Sequence, residues 1–300
     1  MESAVIGVIL NPHAAGGRTL KTLPRVTQAL TDLGIKFSLY VTTGPLEAQT
    51  RSRDFAHDGV ERVIAIGGDG TFNEVANGLL MADRLVPMGI VPAGTGCDFP
   101  RTLGLNSKSI EESVRIACLG TITRMDVGFA QCDTGEGRYF VNVAGLGFDA
   151  TVADKAARTK LPGGKISYLA ALAASLARYK NISVTVTSDT LSVQTRAVFV
   201  TVANAKYFGG GFMITPMADI TDAKLDLAII GDLSIPELLR RIPSVYRGTH
   251  TNHPKFTHAQ CTHVRVESSD PALVQVDGEI LGTAPVEFSI RPFAFVVSTE

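Results

Sequence analysis

The first 125 residues alternate between short, strand-like apolar runs and segments with helical spacing. The strand-like runs occupy residues 4–10, 36–42, 62–67 and 86–92. The helical segments occupy residues 19–33, 46–57, 72–80 and 109–120, the last with Gly120 as a stop signal. Strands that are apolar throughout are buried on both faces, and the helices between them supply the cover. This pattern predicts an α/β domain with a mostly parallel sheet covered on both faces.

The sequence pattern changes near residue 122. From there to residue 300, strands rich in Val, Thr and Phe follow one another, many of them separated by Gly, Asp or Ser turns. Short strands with such turns are typical of an antiparallel sandwich. Helical segments interrupt them at about 149–158, 166–179 and 235–247. We therefore expect two domains, residues 1–125 and 126–300, with the last strands free to return to the first domain.

Composition excludes several classes of protein. The formal net charge of −1 gives the chain no general attraction for nucleic acid. The four cysteines are scattered and form no CxxC pair, which fits a reducing compartment. The apolar run at the N-terminus is shorter than a signal-peptide core, and residues 168–177 are too few to span a bilayer. We expect a cytoplasmic protein that makes peripheral contact with the inner face of the membrane. The sequence leaves the oligomeric state open, and a homodimer is one of the options.

Three glycine-rich loops follow strands of the predicted parallel sheet. They read NPHAAGGR (11–18), GGDGT (67–71) and PAGTGCDF (92–99). Ligands of open α/β sheets bind at the carboxyl ends of the strands, where glycine lets backbone N–H groups approach phosphate oxygens. One such loop is weak evidence, because tight turns use glycine for geometry alone. Three loops at one edge of one sheet predict a nucleotide-phosphate site.

The loops match neither the GxxxxGK[ST] nor the GxGxxG pattern. Without a P-loop lysine, the phosphate charge must be met by the backbone, by Arg18 or Lys21, or by a metal ion. Asp69 and Asp98 belong to the same predicted edge of the sheet. Their carboxylates could hold Mg²⁺ directly or through water.

Four segments resemble, in order and spacing, the diacylglycerol kinase catalytic family, and its soluble bacterial lipid kinases are the most similar. The segments are NPHAAGG, GGDGTFNEVANGL, PAGTGCDFPRTLGL and, at 276–279, VDGE. The resemblance extends over essentially the whole chain. It implies a three-layer α/β nucleotide-binding domain, a C-terminal antiparallel β-sandwich, and the cofactors ATP and Mg²⁺. The reaction it implies is transfer of the γ-phosphoryl group of ATP to the hydroxyl of a diacylglycerol-like lipid.

Carried over residue by residue, the resemblance implies an ATP site, an acidic network and a base. The residues around ATP would be Asn11, Pro12, His13, Ala14, Ala15, Thr42, Gly67, Gly68, Asp69, Gly70, Thr71, Asn73 and Thr95. Asp69, Asp98 and Asp126 would form a water-linked network around the catalytic Mg²⁺. In VDGE, Asp277 or Glu279 would accept the proton of the lipid hydroxyl. Family assignments favour Glu279, whereas chemistry alone leaves both carboxylates open.

Residues 216–227 resemble a second, structural Mg²⁺ site in the β-rich domain. Its ligands would be the side chain of Asp222 and main-chain oxygens at Asp219 and Lys224, a set that suits a hard cation. An Asp-rich hairpin turn without a metal is the alternative that the sequence leaves equally open.

Two positions depart from the family pattern. Cys97 precedes Asp98 where the family usually has Asn, and a thiol does not replace the hydrogen bonds of an amide. A changed substrate preference or reduced activity would follow from a lost contact there. Ala15 stands where Gly is common, although Gly16 and Gly17 come directly after it.

Several alternatives remain open at this stage. The acceptor could be a sphingoid base, phosphatidylglycerol or NAD, or the chain could be a nucleotide-binding regulatory protein that has lost catalysis. The FNEVANG segment and the PAGTGCDF loop favour the lipid branch over NAD. A basic cluster made of Lys155, Arg158, Lys160 and Lys165 is expected to be a solvated face, with anionic lipid headgroups as the other interpretation.

Overall fold

A computed structural model describes residues 5–93, 97–133, 135, 137–148, 150–151 and 179–300. The chain divides into two compact units. Met1–Met125 together with Phe293–Glu300 form the first, here called the α/β unit, and Asp126–Pro292 form the second, the β unit. The basic cluster at 155–165 lies outside the described residues, as do most of the helical segments expected at 149–158 and 166–179.

The described α-helices are α1 (Ala14–Gly17), α2 (Leu23–Asp32), α3 (Glu47–His57), α4 (Asp69–Leu80), α5 (Asp98–Thr102), α6 (Ile110–Leu119) and α7 (Ile235–Tyr246). Two short 3₁₀ turns occupy Thr19–Thr22 and His250–Asn252. The described strands are β1 (Val5–Leu10), β2 (Lys36–Val41), β3 (Arg62–Gly67), β4 (Met88–Pro92), β5 (Thr121–Cys132), β6 (Gly137–Phe140), β7 (Val143–Gly147), β8 (Ile182–Ser188), β9 (Ser192–Ala203), β10 (Tyr207–Phe208), β11 (Phe212–Met213), β12 (Leu225–Gly231), β13 (Phe256–Cys261), β14 (His263–Ser268), β15 (Leu273–Val276), β16 (Glu279–Thr283) and β17 (Val286–Thr299).

A parallel sheet forms the centre of the α/β unit, with the strand order β2-β1-β3-β4-β17. Helices α2 and α6 cover one face, where Leu30 and Val114 pack in one cluster with Ile64 of β3. Helices α3 and α4 cover the other face, and Gly7 of β1 leaves room there for the ring of Phe55. The apolar runs are buried because helices lie on both sides of them. The predicted three-layer α/β architecture is confirmed.

Two helix ends of the α/β unit show how local sequence sets element bounds. Helix α6 follows Ser109, whose Oγ accepts a hydrogen bond from the backbone N–H of Glu112 at 3.1 Å, and it stops at Gly120. Helix α4 begins at Asp69 rather than at Phe72, where helical spacing first becomes visible in the sequence. The GGDGT segment is thus the end of β3 joined directly to the first turn of α4.

The strands of the β unit pair antiparallel, in the order β16-β15-β7-β9-β8-β14-β17. Strand β9 also pairs with β12, which pairs with β13, and β5 pairs with β6. Alternate residues of these strands build an apolar core that includes Leu146, Val200, Leu227, Val264 and Phe288. The predicted antiparallel β domain is confirmed.

Helix α7 packs on a second apolar cluster of the β unit. Its residues Ile235, Leu238 and Val245 lie against a group that contains Phe199 and Ile230. The helix begins with a capping box between Ser234 and Glu237. Across the part of the chain described, no helix combines the length and the apolar character needed to cross a bilayer.

Candidate active site

A side-chain hydrogen bond joins the first two glycine-rich loops in the α/β unit. Asn11 follows β1, and its Nδ2 donates to Oγ1 of Thr71 in the first turn of α4 at 3.1 Å. The backbone N–H of Asn11 donates to the carbonyl of Ile66 at 3.1 Å. Asn11 Oδ1 accepts from the backbone N–H of His13 at 2.9 Å, which turns the chain towards α1. NPHAAGGR and GGDGT therefore lie side by side, as neighbours in the sheet should.

Open space surrounds three glycines of these loops. Among the described residues, a Cβ atom at Gly16, Gly17 or Gly68 would meet nothing within 4 Å. Gly67 is glycine for a different reason, because a Cβ there would lie 2.5 Å from Oγ1 of Thr71. Gly68 directly precedes α4, whose first N–H groups carry the positive end of the helix dipole. An accessible backbone beside a helix N-terminus is suited to binding phosphate oxygens.

The carboxylate of Asp69 ties GGDGT to the third loop. Oδ2 accepts a hydrogen bond from the backbone N–H of Asp98, and Oδ1 accepts one from Phe99, both at 3.0 Å. These are the first two N–H groups of α5, which have no partner inside that helix. Burial raises the pKa of Asp69 above its usual value, while the N–H groups of Phe99 and Asp98 oppose the rise. Asp69 therefore caps α5 in addition to any contact with a ligand.

Asp98 adjoins Asp69 in the α/β unit through its backbone N–H, which donates to the carboxylate of Asp69. Asp98 is buried, with 5 % of its surface exposed, and its Oδ1 lies 3.8 Å from Nε of Arg101. Among the described residues, no group of three or more His, Cys, Asp or Glu side chains is arranged to hold a metal ion. The oxygen donors present fit Mg²⁺, which usually keeps several waters and takes only one or two carboxylates from a protein.

Cys97 precedes α5 in an unusual backbone conformation. Its φ is +29° and its side chain is buried. Asn tolerates positive φ better than most other side chains, because its short amide bonds locally to the backbone. The family's usual Asn thus suits the backbone here, apart from any contact with a ligand. Thr95, two residues earlier, lies outside the described residues.

The remaining residues of the predicted ATP site differ in exposure. His13 and Gly70 are exposed, whereas Pro12 and Ala14 are half-buried. Thr42 is buried at the end of β2, where its backbone N–H donates to Leu10 at 2.9 Å. Ala15 lies in α1.

Asn73 is fully buried within α4, and its Oδ1 accepts from Asn77 Nδ2 at 3.2 Å. In this arrangement Asn73 supports its own helix. Its contact with ATP stays a prediction.

The VDGE segment of the β unit is a tight hairpin turn between β15 and β16. Asp277 and Gly278 both have positive φ, +47° and +89°, as a two-residue type I′ turn requires. The backbone N–H of Gly278 donates to Oε1 of Gln275 at 2.9 Å. Asp-Gly is the residue pair that this turn favours, so the sequence itself accounts for the local geometry.

The two carboxylates of VDGE have different surroundings. Asp277 accepts three backbone hydrogen bonds, from Val141 at 2.9 Å, Asn142 at 3.0 Å and Val143 at 2.9 Å. Glu279 is exposed at the start of β16. The carboxylate of Asp277 is engaged in holding the hairpin against the start of β7, whereas that of Glu279 is open to solvent.

Asp126 belongs to the β unit, where it is fully buried in β5. Its Oδ2 accepts a hydrogen bond from the backbone N–H of Ala223 at 2.7 Å, and its own N–H donates to Ile220 at 2.7 Å. The described structure thus joins Asp126 to the loop of the predicted structural Mg²⁺ site. Its part in a network with Asp69 and Asp98 stays a prediction.

The carboxylates of that loop already have hydrogen-bond partners. Asp219 Oδ1 accepts from the N–H of Thr221 at 2.9 Å, and Asp222 accepts from the N–H of Lys224 and from Gln260 Nε2, both at 3.0 Å. Burial raises the pKa of Asp222, and the negative charges of Asp226 and Asp219 raise it further. The hairpin therefore closes with its own bonds, while a bound cation would offset the repulsion between its carboxylates.

Asn204 is a positioning residue that the sequence analysis missed. It is buried at the end of β9, and its Nδ2 donates to the carbonyls of Asp126 at 2.9 Å and Val141 at 3.0 Å. It connects the strand that carries Asp126 to the segment that holds Asp277. An Asn directly after a long apolar strand, in VANAKYFGGG, was the only signal available in the sequence.

Comparison with known proteins finds two family models along the chain. The diacylglycerol kinase catalytic domain matches residues 5–130, and the YegS C-terminal NAD kinase beta sandwich-like domain matches residues 142–299. Together the two models span nearly the whole sequence.

Curated relatives and solved structures that resemble this chain are also described as diacylglycerol kinases. A diacylglycerol kinase of Mycobacterium tuberculosis is 29% identical over 99% of this chain and 95% of its own length. That of Bacillus subtilis (strain 168) is 28% identical over 94% of this chain and 91% of its own. A crystal structure of a candidate diacylglycerol kinase from Bacillus anthracis str. Sterne has a TM-score of 0.81 at 23% identity, covering 99% of this chain and 98% of that one. At that identity the structural match shows the fold alone.

Proposed function

The chain belongs to the diacylglycerol kinase catalytic-domain family, and we propose that it transfers the γ-phosphoryl group of ATP to the hydroxyl of a diacylglycerol-like lipid. The observation that carries the proposal is the GGDGT segment. It places an accessible glycine, a helix N-terminus and a carboxylate at the end of one strand. This combination suits a polyphosphate and offers little to an apolar ligand.

The α/β unit would bind the nucleotide. The backbone around Gly16, Gly17 and Gly68 leaves room for phosphate oxygens, and Asn11 holds the first loop against Thr71. Asp69 would keep the third loop in place through its bonds to α5. A phosphoryl transfer needs such positioning more than it needs covalent help from the protein.

Asp69 and Asp98 would hold Mg²⁺, largely through water, with Asp126 assigned to the same acidic network. When bound, the ion supplies positive charge that offsets the charge of the phosphate oxygens. The protein's own task is to present the carboxylates and to keep the phosphate chain oriented. We also assign a structural Mg²⁺ to Asp222 and to main-chain oxygens at Asp219 and Lys224.

Glu279 would accept the proton of the lipid hydroxyl. Asp277 suits this task less, because three backbone N–H groups already donate to its carboxylate. Hydrogen bonds to an ionised carboxylate lower its affinity for a proton. We therefore assign Asp277 to positioning the hairpin and Glu279 to proton transfer, as the base of the reaction.

The lipid acceptor would reach the enzyme from a bilayer, in peripheral contact with the inner face of the membrane. Phosphorylation of diacylglycerol yields an anionic phospholipid, so the reaction would belong to phospholipid metabolism.

The test is incubation of the purified chain with ATP labelled in the γ-phosphate, Mg²⁺ and a panel of acceptors. The panel contains diacylglycerol, a sphingoid base, phosphatidylglycerol and NAD. Labelled phospholipid from diacylglycerol supports the proposal, and chelation of Mg²⁺ should abolish its formation. Labelled NADP would instead identify an NAD kinase, and no labelled product with any acceptor would identify a binding protein without catalysis.

A further inference from the structure

Helix α7 carries a second apolar stripe on its exposed side. Pro236, Leu239, Pro243 and Tyr246 follow one another at helical spacing, and all four are exposed. Leu239 is 46 % exposed and Tyr246 is 47 % exposed. A surface helix in a protein surrounded by water usually places polar residues on this side. The stripe is therefore unexplained by the folding of the β unit.

Two arginines, Arg240 and Arg247, border this stripe, whereas Arg241 lies on the side of the helix that carries Leu238 and Val245. Arg240, Arg241 and Arg247 are all exposed, and none of them forms an ion pair with any of the described residues. The only acidic residue of the helix is Glu237, which accepts from the N–H of Ser234 at 2.8 Å and lies 3.8 Å from Nζ of Lys255. The outer face of α7 thus combines uncompensated positive charge with exposed apolar side chains.

The last residue of the stripe packs against a neighbouring hairpin. The ring of Tyr246 stacks on Phe212 of β11, with ring centroids 4.4 Å apart. Strands β10 and β11 form this small hairpin around Gly209, Gly210 and Gly211, all at positive φ. Phe212 is buried, so the exposed stripe ends at Tyr246, and the hairpin beside it has no charged side chain at its tip.

We propose that the outer face of α7 docks the protein on an anionic lipid bilayer. The apolar stripe would enter the boundary between headgroups and acyl chains, with the helix lying in the plane of the interface. Arg240 and Arg247 would pair with lipid phosphates, to which a guanidinium group can donate two parallel hydrogen bonds. The inference rests on the proposed function only in that a lipid acceptor is presented by a membrane, and its test does not depend on kinase activity.

A bilayer fits this surface better than an acidic protein does. The apolar side chains form one narrow line along a helix of about 18 Å, with positive charge beside it, which is the pattern of interfacial helices. A protein partner would instead require a broader apolar patch with complementary shape. This surface is separate in sequence from the basic cluster at 155–165.

The experiment is sedimentation of the full chain with vesicles of phosphatidylcholine alone or mixed with phosphatidylglycerol. The first variant carries Arg240→Glu and Arg247→Glu, and the second carries Leu239→Ser. The matched controls are Arg53→Glu with Arg84→Glu, two exposed arginines of the α/β unit, and Leu85→Ser, where the leucine is 52 % exposed. Thermal unfolding establishes that every variant is folded.

The wild type should bind the mixed vesicles and leave the phosphatidylcholine vesicles largely free. Both α7 variants should bind the mixed vesicles at least about tenfold more weakly than the wild type does. The first reverses two positive charges near the anionic surface, and the second removes an apolar side chain from the boundary between headgroups and acyl chains. The control variants should bind as the wild type does. Phosphorylation of diacylglycerol dispersed in detergent should be unchanged by the α7 substitutions, and its absence in the wild type would count against the proposed function alone.

Three results would overturn the proposal. Unchanged vesicle binding by folded α7 variants would remove this face from the membrane contact. An equal loss in the α/β-unit controls would show that binding depends on overall charge and not on α7. If the wild type binds neither kind of vesicle, the bilayer is ruled out as the occupant of this face, and a protein partner remains.

Discussion

Asp277 and Glu279 stand in one hairpin but have opposite surroundings. The carboxylate of Asp277 receives three backbone N–H groups, while Glu279 faces solvent. From the sequence both were candidates for the base, because a short turn says nothing about which segment donates to which carboxylate. The partners of Asp277 lie more than a hundred residues earlier in the chain. Only the folded β unit separates the two roles.

The Asp277→Asn variant should therefore be less stable than the wild type. An amide retains one acceptor oxygen but points its NH₂ group at backbone donors, so buried N–H groups lose their partner. We expect the free energy of unfolding to fall by about 1–3 kcal/mol, as measured by urea denaturation. Glu279→Gln is the matched control and should leave stability unchanged. Equal stability of the two variants would contradict the positioning role of Asp277.

Cys97 offers a second test at the scale of one residue. Its φ of +29° is costly for most side chains and better tolerated by Asn. Both side chains are buried, so an amide is costly at either position, and Cys132→Asn in β5 is the matched control without positive φ. Cys97→Asn should lower the free energy of unfolding by about 0.5–1 kcal/mol less than Cys132→Asn does, because it also relieves a backbone strain. Thermal unfolding measures both, and a loss of stability in Cys97→Asn similar to that in Cys132→Asn would reject the strain.

At the scale of elements, Asp69 connects two loops by capping a helix. It opens α4 and accepts the first two N–H groups of α5. The GGDGT pattern predicted that Asp69 is a site residue, but no sequence signal indicated that it caps a helix 29 residues further along. Removing its carboxylate would disturb α5 as well as any bound cation. Loss of turnover in Asp69→Ala is therefore an ambiguous test of catalysis.

Two glycines of the same region separate packing from ligand binding. A Cβ at Gly78 would lie 2.0 Å from Ser52 Oγ and 2.1 Å from the carbonyl oxygen of Gln49. Helices α3 and α4 would have to move apart to accommodate it. Gly78→Ala should lower the free energy of unfolding by about 1–3 kcal/mol or more. At Gly68 no atom of the residues that the structure describes lies within 4 Å of an added Cβ, and the φ of −118° suits alanine.

Gly68→Ala should keep the stability of the wild type but bind ATP about tenfold or more weakly, because a methyl group would occupy the path of a phosphate. A factor of ten corresponds to about 1.4 kcal/mol of binding free energy. Titration with a fluorescent ATP analogue measures the affinity, and denaturation measures the stability. Unchanged ATP affinity in Gly68→Ala would place the phosphates elsewhere.

At the scale of the whole molecule, the periodicity of apolar residues predicted the two fold classes. Continuous apolar runs with helical segments between them predicted the covered parallel sheet, and alternating strands with turns predicted the antiparallel one. This periodicity is a local property of the chain, so it could not predict hydrogen bonds between residues far apart in sequence. The bond from Asp126 to Ala223 spans 97 residues and that from Asn204 to Asp126 spans 78. The roles given to the predicted site residues stay predictions.

Formation of labelled phospholipid by wild type and Glu279→Gln, from diacylglycerol and ATP labelled in the γ-phosphate, tests the central claim most directly. The account predicts labelled product from the wild type and a rate at least about 10²-fold lower in Glu279→Gln, the usual contribution of a positioned base. Glu61→Gln, an exposed glutamate of the α/β unit, serves as the control and should keep the wild-type rate. Absence of labelled lipid from the wild type, or an equal rate in folded Glu279→Gln, would contradict the account.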